Sequence, residues 1–275
     1  MEGIIIKNQS NDYTVRTSNG LYVCKPRGKF RNDKITPLVG DDCIIDKDNK
    51  YILEILPRKN ELKRPLVSNI DTAVIVTSIK QPDLSLNLLD KMLSIITINK
   101  IKPIICFTKL DLADKNDKKL IKQLKKYYES INIPVLNNKK IGKLKRCLKN
   151  QVVVFTGQTG AGKSSLLNKI DKTLNLKTGE ISMALNRGKH TTRHVELFEL
   201  NNAYIVDTPG FSALDFNDIS DEQIKDSFVE FGKYNCKFNN CMHINEKECK
   251  VKDAVENQQI LLSRYENYKS FVKRK

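Results

Sequence analysis

The residues Gly157-Gln158-Thr159-Gly160-Ala161-Gly162-Lys163-Ser164 carry the spacing G-x-x-x-x-G-K-S, with Ser165 following. That spacing suits phosphate. Glycine lets the backbone turn its N–H groups toward an anion, and a helix N-terminus behind the loop adds favourable partial charge. Lys163 is positioned by this pattern to reach the β- and γ-phosphates of a nucleotide, and the Ser164 hydroxyl to ligate Mg²⁺. A second constellation, Cys236, Cys241, His243 and Cys249, follows C-x₄-C-x-H-x₅-C. Three thiolates and an imidazole complete a tetrahedral shell with no open position, the chemistry of one structural Zn²⁺. The intervening Asn239-Asn240 and Asn245-Glu246-Lys247 are too polar to form a core without such a staple.

The elements that must hold these groups are legible around them. Val152-Val153-Val154-Phe155 is a short apolar run that reads as a buried strand, and Ser165 to Ile170 reads as the start of a helix. From Asn69 strands alternate with helices, which predicts a parallel sheet covered on both faces. Thr72 to Thr77 is one strand, Leu86 to Lys100 a helix, and Pro103 to Phe107 the next strand. That strand ends in Thr108-Lys109-Leu110-Asp111, which resembles the N/T-K-x-D base-reading motif of GTPases. A carboxylate at Asp111 accepts from guanine N1–H and its exocyclic amine, whereas adenine offers no matching donors. The stem of Lys109 is expected to lie against the base. Ala203 to Val206 forms a later strand ending in Asp207-Thr208-Pro209-Gly210, a D-x-x-G signature. Asp207 is expected to hold Mg²⁺ through water, and the Gly210 N–H to bond the γ-phosphate. In an ordinary GTPase the base-reading motif comes last, whereas here it comes first.

Before the alternating region, residues 1 to about 66 carry five short β-prone runs separated by turn signals, which predicts a small Greek-key barrel of the oligonucleotide-binding kind. Arg27, Lys29, Phe30, Arg31 and Lys34 read as a basic loop suited to gripping phosphates and stacking a base. Pro57 to Pro65 reads as a linker. After Gly210, Asp221 to Gly232 is read as a short helix and Lys252 to Lys275 as a longer one.

The 275 residues and 40 % hydrophobic content give room for a core, and the net charge of +16 favours a polyanionic partner. Between Lys115 and Lys149 twelve basic residues face two acids, and Leu120, Leu124, Tyr127 and Ile131 recur at helical spacing, so the lysines form the wet face of an amphipathic helix. Cys24, Cys43, Cys106 and Cys147 sit singly and read as inert apolar residues. No apolar run nears the roughly 20 residues that span a bilayer, and the first residues lack the apolar core of a signal peptide. A cytoplasmic chain with no membrane partner is therefore expected, a setting that keeps thiols reduced for metal.

The arrangement resembles the circularly permuted GTPases, and in detail the ribosome small subunit-dependent GTPase A family (RsgA/YjeQ). The resemblance rests on Arg27-Gly28, Pro37-Leu38-Val39-Gly40-Asp41, Arg64-Pro65, Asn69-Ile70-Asp71, Gly188-Lys189-His190-Thr191-Thr192, Asp207-Thr208-Pro209-Gly210-Phe211 and the cysteine cluster. Against the family pattern, Thr108 stands where Asn is usual, removing an amide that would brace base and phosphate loop. The Ser-Ala loop expected near Asn137-Asn138-Lys139 is missing, and Gln158 and Thr159 are mild changes. Phe211 occupies the place of the water-orienting glutamine, which leaves His190 as the candidate to position water. Thr191 or, preferably, Thr192 would complete the Mg²⁺ shell.

The resemblance implies three domains: an oligonucleotide-binding (OB-fold) barrel at 1–66, a circularly permuted α/β P-loop GTPase domain at 67–217 and a zinc-binding helical module at 218–275. It implies a monomeric GTPase that binds the small ribosomal subunit and its rRNA and hydrolyses GTP to GDP when docked. An RNA-binding scaffold, using the nucleotide site to sense guanine nucleotides or alarmones, fits the altered base loop. A phosphate-loop kinase fits the loop alone; D-x-x-G argues against it.

Overall fold

The computed structural model describes residues 1–32, 35–63, 66–174, 176, 195–207, 216 and 218–272. The chain divides into two compact units, one built from Met1–Val74, Lys139–Thr156 and Gly162–Ser212, the other from Ile75–Asn138, Gly157–Ala161 and Ala213–Lys275.

The first unit begins with strands β1 (Glu2–Gln9), β2 (Asp12–Thr17), β3 (Gly20–Pro26), β4 (Asp42–Asp46) and β5 (Tyr51–Ile55). They pair in the order β1-β2-β3-β5-β4, and β4 returns to β1, so the barrel closes. Alternation decides which side is dry: Ile5, Val15, Cys24, Cys43, Ile45 and Ile52 are each at most 2 % exposed. Ser10 and Asn11 both take positive φ, as a two-residue hairpin turn of type I′ requires.

Two expectations are corrected here. Lys29–Asn32 is a helical turn, α1, whose Phe30 is only 7 % exposed, so the aromatic ring is buried and is not presented for stacking. Arg27 and Lys29 do remain exposed, whereas Lys34 lies outside the described residues. The stretch from Pro57 is no free linker. Arg58 donates from Nε and Nη2 to the two oxygens of fully buried Asp41 at 2.7 and 2.8 Å, and Asp41 also accepts from Leu38 N and Ser68 Oγ. Asn60 clamps Ile70 through both its amide groups, and β6 (Glu61–Lys63) pairs with β7 (Leu66–Ser68). Gly40 passes so close to β7 that a Cβ would lie 2.1 Å from the Ser68 carbonyl oxygen.

Strand β8 (Thr72–Ser78) follows; its first residues close this unit, which also holds α4 (Ile141–Leu148), β11 (Val152–Thr156), α5 (Lys163–Ile170), β12 (Glu196–Leu200) and β13 (Ala203–Asp207). β13 runs parallel to β11 and antiparallel to β12, and β12 pairs antiparallel with barrel strand β1 at Lys7 and Glu196. Asp71 fixes the start of β11: its carboxylate accepts from Val152 N at 2.9 Å, and its own N–H donates to Val152 O.

In the second unit the rest of β8 leads into α2 (Leu86–Ile98), β9 (Lys102–Thr108), α3 (Lys115–Ser130) and β10 (Val135–Asn137), with β10 parallel to β9. Ser85 caps α2, and Asp114 with Asp117 forms a capping box on α3. Leu124, Tyr127 and Tyr128 are the buried face of α3, and Lys115, Lys118, Lys119, Lys122 and Lys126 the exposed one. Like charges three or four residues apart cost a helix a few tenths of a kcal/mol per pair. Helices α6 (Asp221–Ser227), α7 (Lys250–Glu256) and α8 (Leu262–Val272) complete the unit. The single long helix read from Lys252 onward is thus two. Gln258 adopts φ 58°, the N–H groups of Gln259 and Ile260 both fold back onto Ala254 O, and Ile260 is drawn into the core at 1 % exposure. Phe216, Ile224, Phe228, Phe231, Tyr268 and Phe271 form that core.

One polar cluster lies inside it. Arg264, 1 % exposed, bonds Asp90 of α2 at 2.7 Å and both carboxylate oxygens of Glu230, while its guanidinium lies 4.5 Å from the Phe228 ring centroid. Tyr127 donates to Glu230 at 2.9 Å, and Tyr128 and Asn267 donate to Asp90 at 2.8 and 2.7 Å. Burial pushes the Glu230 carboxyl up, but the charge and hydrogen bonds of Arg264 outweigh it and leave the group below its ordinary value.

Candidate nucleotide and metal sites

The phosphate-binding signature occupies the turn between β11 and α5. Gly157, Gly160 and Gly162 all take positive φ, at 138°, 78° and 92°, which side chains rarely tolerate. At Gly157 space is decisive as well, because a Cβ would lie 2.0 Å from the Val76 carbonyl oxygen. Gly162 leads directly into α5, whose first residues are Lys163 and Ser164, so the helix starts where the sequence pattern requires an anion. Gln158, Thr159, Gly160 and Ser165 are exposed; Ala161 and Ser164 are buried. Burial pushes the Lys163 ammonium below its ordinary value, a shift that a nearby phosphate would reverse.

The base-reading tetrapeptide sits at the end of β9. Thr108, 2 % exposed, donates its hydroxyl to Ala161 O at 2.6 Å. The strand that would read the base is therefore tied to the loop that would hold the phosphates. The hydroxyl keeps a brace on the loop backbone where loss of an amide was expected to remove it, although its single proton is engaged there. Lys109 turns the chain at φ 53°, a conformation closed by Leu112 N donating to Lys109 O, and its ammonium reaches Gln81 O. Asp111 is exposed on that turn. The backbone of Asp207 ends β13, the parallel neighbour of the strand feeding the phosphate loop. His190, Thr191, Thr192, Gly210 and Phe211 lie outside the described residues. Asp71 belongs to none of the site motifs, yet its bonds to Val152 fix the start of β11, the strand that leads into the phosphate loop.

In the second unit the four metal-ligating candidates converge. Their ligand atoms all lie within 4.8 Å of one another. The Sγ atoms of Cys236 and Cys241 are each 3.8 Å from that of Cys249, and His243 Nδ1 is 3.5 and 3.3 Å from Cys236 and Cys249 Sγ. Bonds of about 2.3 Å to sulfur and about 2.0 Å to nitrogen give a tetrahedron with edges of about 3.8 Å between sulfurs and somewhat less to nitrogen, so the set fits a tetrahedral ion. Burial lowers the His243 pKa and favours the neutral imidazole that binds metal. The loop is held independently: Glu246 accepts from Met242 N and Ile244 N, and the Tyr265 hydroxyl donates to His243 O at 2.6 Å.

Known proteins resemble the chain over nearly all of its length. Residues 55–217 match the sequence profile of the RsgA GTPase, and residues 2–52 that of the RsgA N-terminal domain. The chain is 48 % identical over 275 residues to the small ribosomal subunit biogenesis GTPase RsgA of Clostridium novyi, covering 98 % of this chain and 95 % of that protein. With RsgA 2 of Oceanobacillus iheyensis it shares 47 % identity over 281 residues, covering 98 % and 96 %. The fold is similar to the crystal structure of YjeQ from Thermotoga maritima, with TM-score 0.86, 36 % identity, and 99 % and 97 % of the two chains covered. It is likewise similar to YloQ, a circularly permuted GTPase, with TM-score 0.84, 37 % identity, and 99 % and 94 % covered.

Proposed function

The chain belongs to the RsgA GTPase family and is a GTP hydrolase with circularly permuted motif order, and from that premise we propose that it acts in maturation of the small ribosomal subunit, hydrolysing GTP when docked there. The observation that carries this reading is the Thr108 hydroxyl on Ala161 O, which ties a guanine-reading turn to a phosphate-binding turn. In the proposed reaction water attacks the γ-phosphate in line, GDP leaves, and Lys163 with the loop N–H groups neutralises charge on the transferred group. Asp111 and Lys109 select guanine. Mg²⁺, held by Ser164, Thr192 or Thr191, and Asp207 through water, would supply further charge; His190 would orient the water.

We assign one structural zinc ion to Cys236, Cys241, His243 and Cys249, and three domains at 1–66, 67–217 and 218–275. The partners are the small subunit, its rRNA and GTP or GDP; the protein works in the cytoplasm as a monomer, and among the described residues no helix is long and apolar enough to cross a membrane. The metal assignment predicts about one zinc per chain in protein purified without added metal. Cys249→Ser is expected to lose most of that zinc and lower the thermal midpoint by roughly 5–15 °C, read by elemental analysis and a melt. Full zinc retention in the variant would refute the ligand set.

The functional test compares turnover of GTP and ATP with and without isolated small subunits. Stimulation of about 10²-fold or more, confined to GTP, is expected. Guanine-nucleotide binding without turnover would favour the scaffold reading instead.

A further inference from the structure

The exposed side of α3 is more regular than a solvated face needs to be. Lys115, Lys118, Lys119, Lys122 and Lys126 recur at intervals of three, one, three and four residues, which at 100° per residue places all five within about 100° of the helix circumference. Along the axis the row spans about 16 Å, with steps of about 4.5–6 Å between turns, comparable with the spacing of successive phosphates along a nucleic-acid strand. Among the described residues none of the five forms an ion pair. The acids on the helix are taken elsewhere: Asp117 binds Lys80 at 2.9 Å, and Glu129 lies 3.8 Å from Lys125. The array is thus five unneutralised charges in a line. It is unfavourable to the helix itself, and Lys115 and Lys118 also oppose the helix dipole at its N-terminal end.

We propose that this row is an RNA-binding surface that grips the phosphates of one strand of an A-form helix, an inference that rests on the reading of the protein as a small-subunit factor. Charge complementarity selects the occupant: a regular line of point charges matches a regular polyanion. A membrane surface is disfavoured because the apolar side of α3, Leu124, Tyr127 and Tyr128, is already buried and has nothing to insert. Lysine suits phosphate without base specificity, so the row sets affinity and register rather than sequence choice.

The test replaces Lys118, Lys119, Lys122 and Lys126 together by Gln in the full chain, leaving Lys115 beside the base-reading turn untouched. Binding to a short A-form RNA duplex is titrated across salt, with anionic phospholipid vesicles as a second probe. The slope of log affinity against log salt is expected to fall by about two to four, and affinity at about 100 mM salt to drop tenfold or more. The corresponding fourfold Lys→Arg variant should keep the parental slope. Basal GTP turnover should be unchanged and the thermal midpoint should not fall, because like-charge repulsion is removed. A parental slope in the Gln variant, or an equal loss on vesicles, would refute the row. Subunit-stimulated turnover in the parent would then leave the functional reading standing, whereas a parent that bound neither RNA nor subunits would remove both.

Discussion

Lys163→Ala should lower subunit-stimulated GTP turnover by about 10²–10³-fold, the usual effect of deleting one preorganised charge that meets the developing charge of a transition state. The structure sharpens this expectation in two ways. Lys163 begins α5 directly after the positive-φ Gly162, so the lysine and the helix N-terminus address the same anion. Its ammonium is also partly stripped of water, and burial holds its pKa below the ordinary lysine value. The sign follows: a lowered lysine pKa penalises the folded state while the group is charged, and the penalty fades as pH rises through the folded value. Stabilisation of Lys163→Ala by added GTP should also shrink relative to the parent. Thermal melts with and without nucleotide, beside turnover assays, check both halves. A variant that turned over normally would break the assignment of the phosphate loop.

Arg264→Leu is expected to destabilise the protein by about 3–5 kcal/mol, because it leaves Asp90 and Glu230 buried, charged and without their counter-ion. Both carboxylates are at most 2 % exposed. Replacing all three charged residues together, Arg264→Met with Asp90→Leu and Glu230→Met, should recover much of the loss, since an apolar set leaves no orphan charge. Urea titrations of the single and triple variants give the comparison. Equal stability of the single variant and parent would mean that the cluster is hydrated or neutral. Because the folded Glu230 pKa is lowered, its stabilising share is present above the ordinary glutamate value and is lost as pH falls through the lower folded one. Acid should thus loosen the hold of Glu230 on Arg264 of α8 before it reaches the apolar core around Phe228.

The parts of the molecule that were readable in advance are those in which a few consecutive residues impose one backbone path. The phosphate loop, Thr108 to Asp111 and the C-x₄-C-x-H-x₅-C run are of this kind: glycine φ, a turn after a strand and ligand spacing are local demands. The five barrel strands were also legible, because alternation marks which side is dry. What escaped was fixed by distant partners. Phe30 reads as a stacking ring in a basic loop, yet the fold buries it. Arg58 looked like part of a linker, and its partner Asp41 lies seventeen residues earlier. Arg264 joins Asp90 across 174 positions, a pairing that no periodicity announces. The helix break at Gln258 was hidden because both pieces share one hydrophobic spacing, and only the burial of Ile260 reveals why the chain folds back.

Among the described residues β1 meets β12 over a short front. One described residue pair, Lys7 with Glu196, is in register, reinforced by ion pairs of 3.1 Å there and 3.8 Å between Arg16 and Glu199, all on side chains more than a third exposed. Exposed pairs of this kind contribute little and are screened by salt. Raising the ionic strength would therefore slacken the side-chain clasps at this seam while the backbone ladders β1–β2 and β12–β13 kept their bonds.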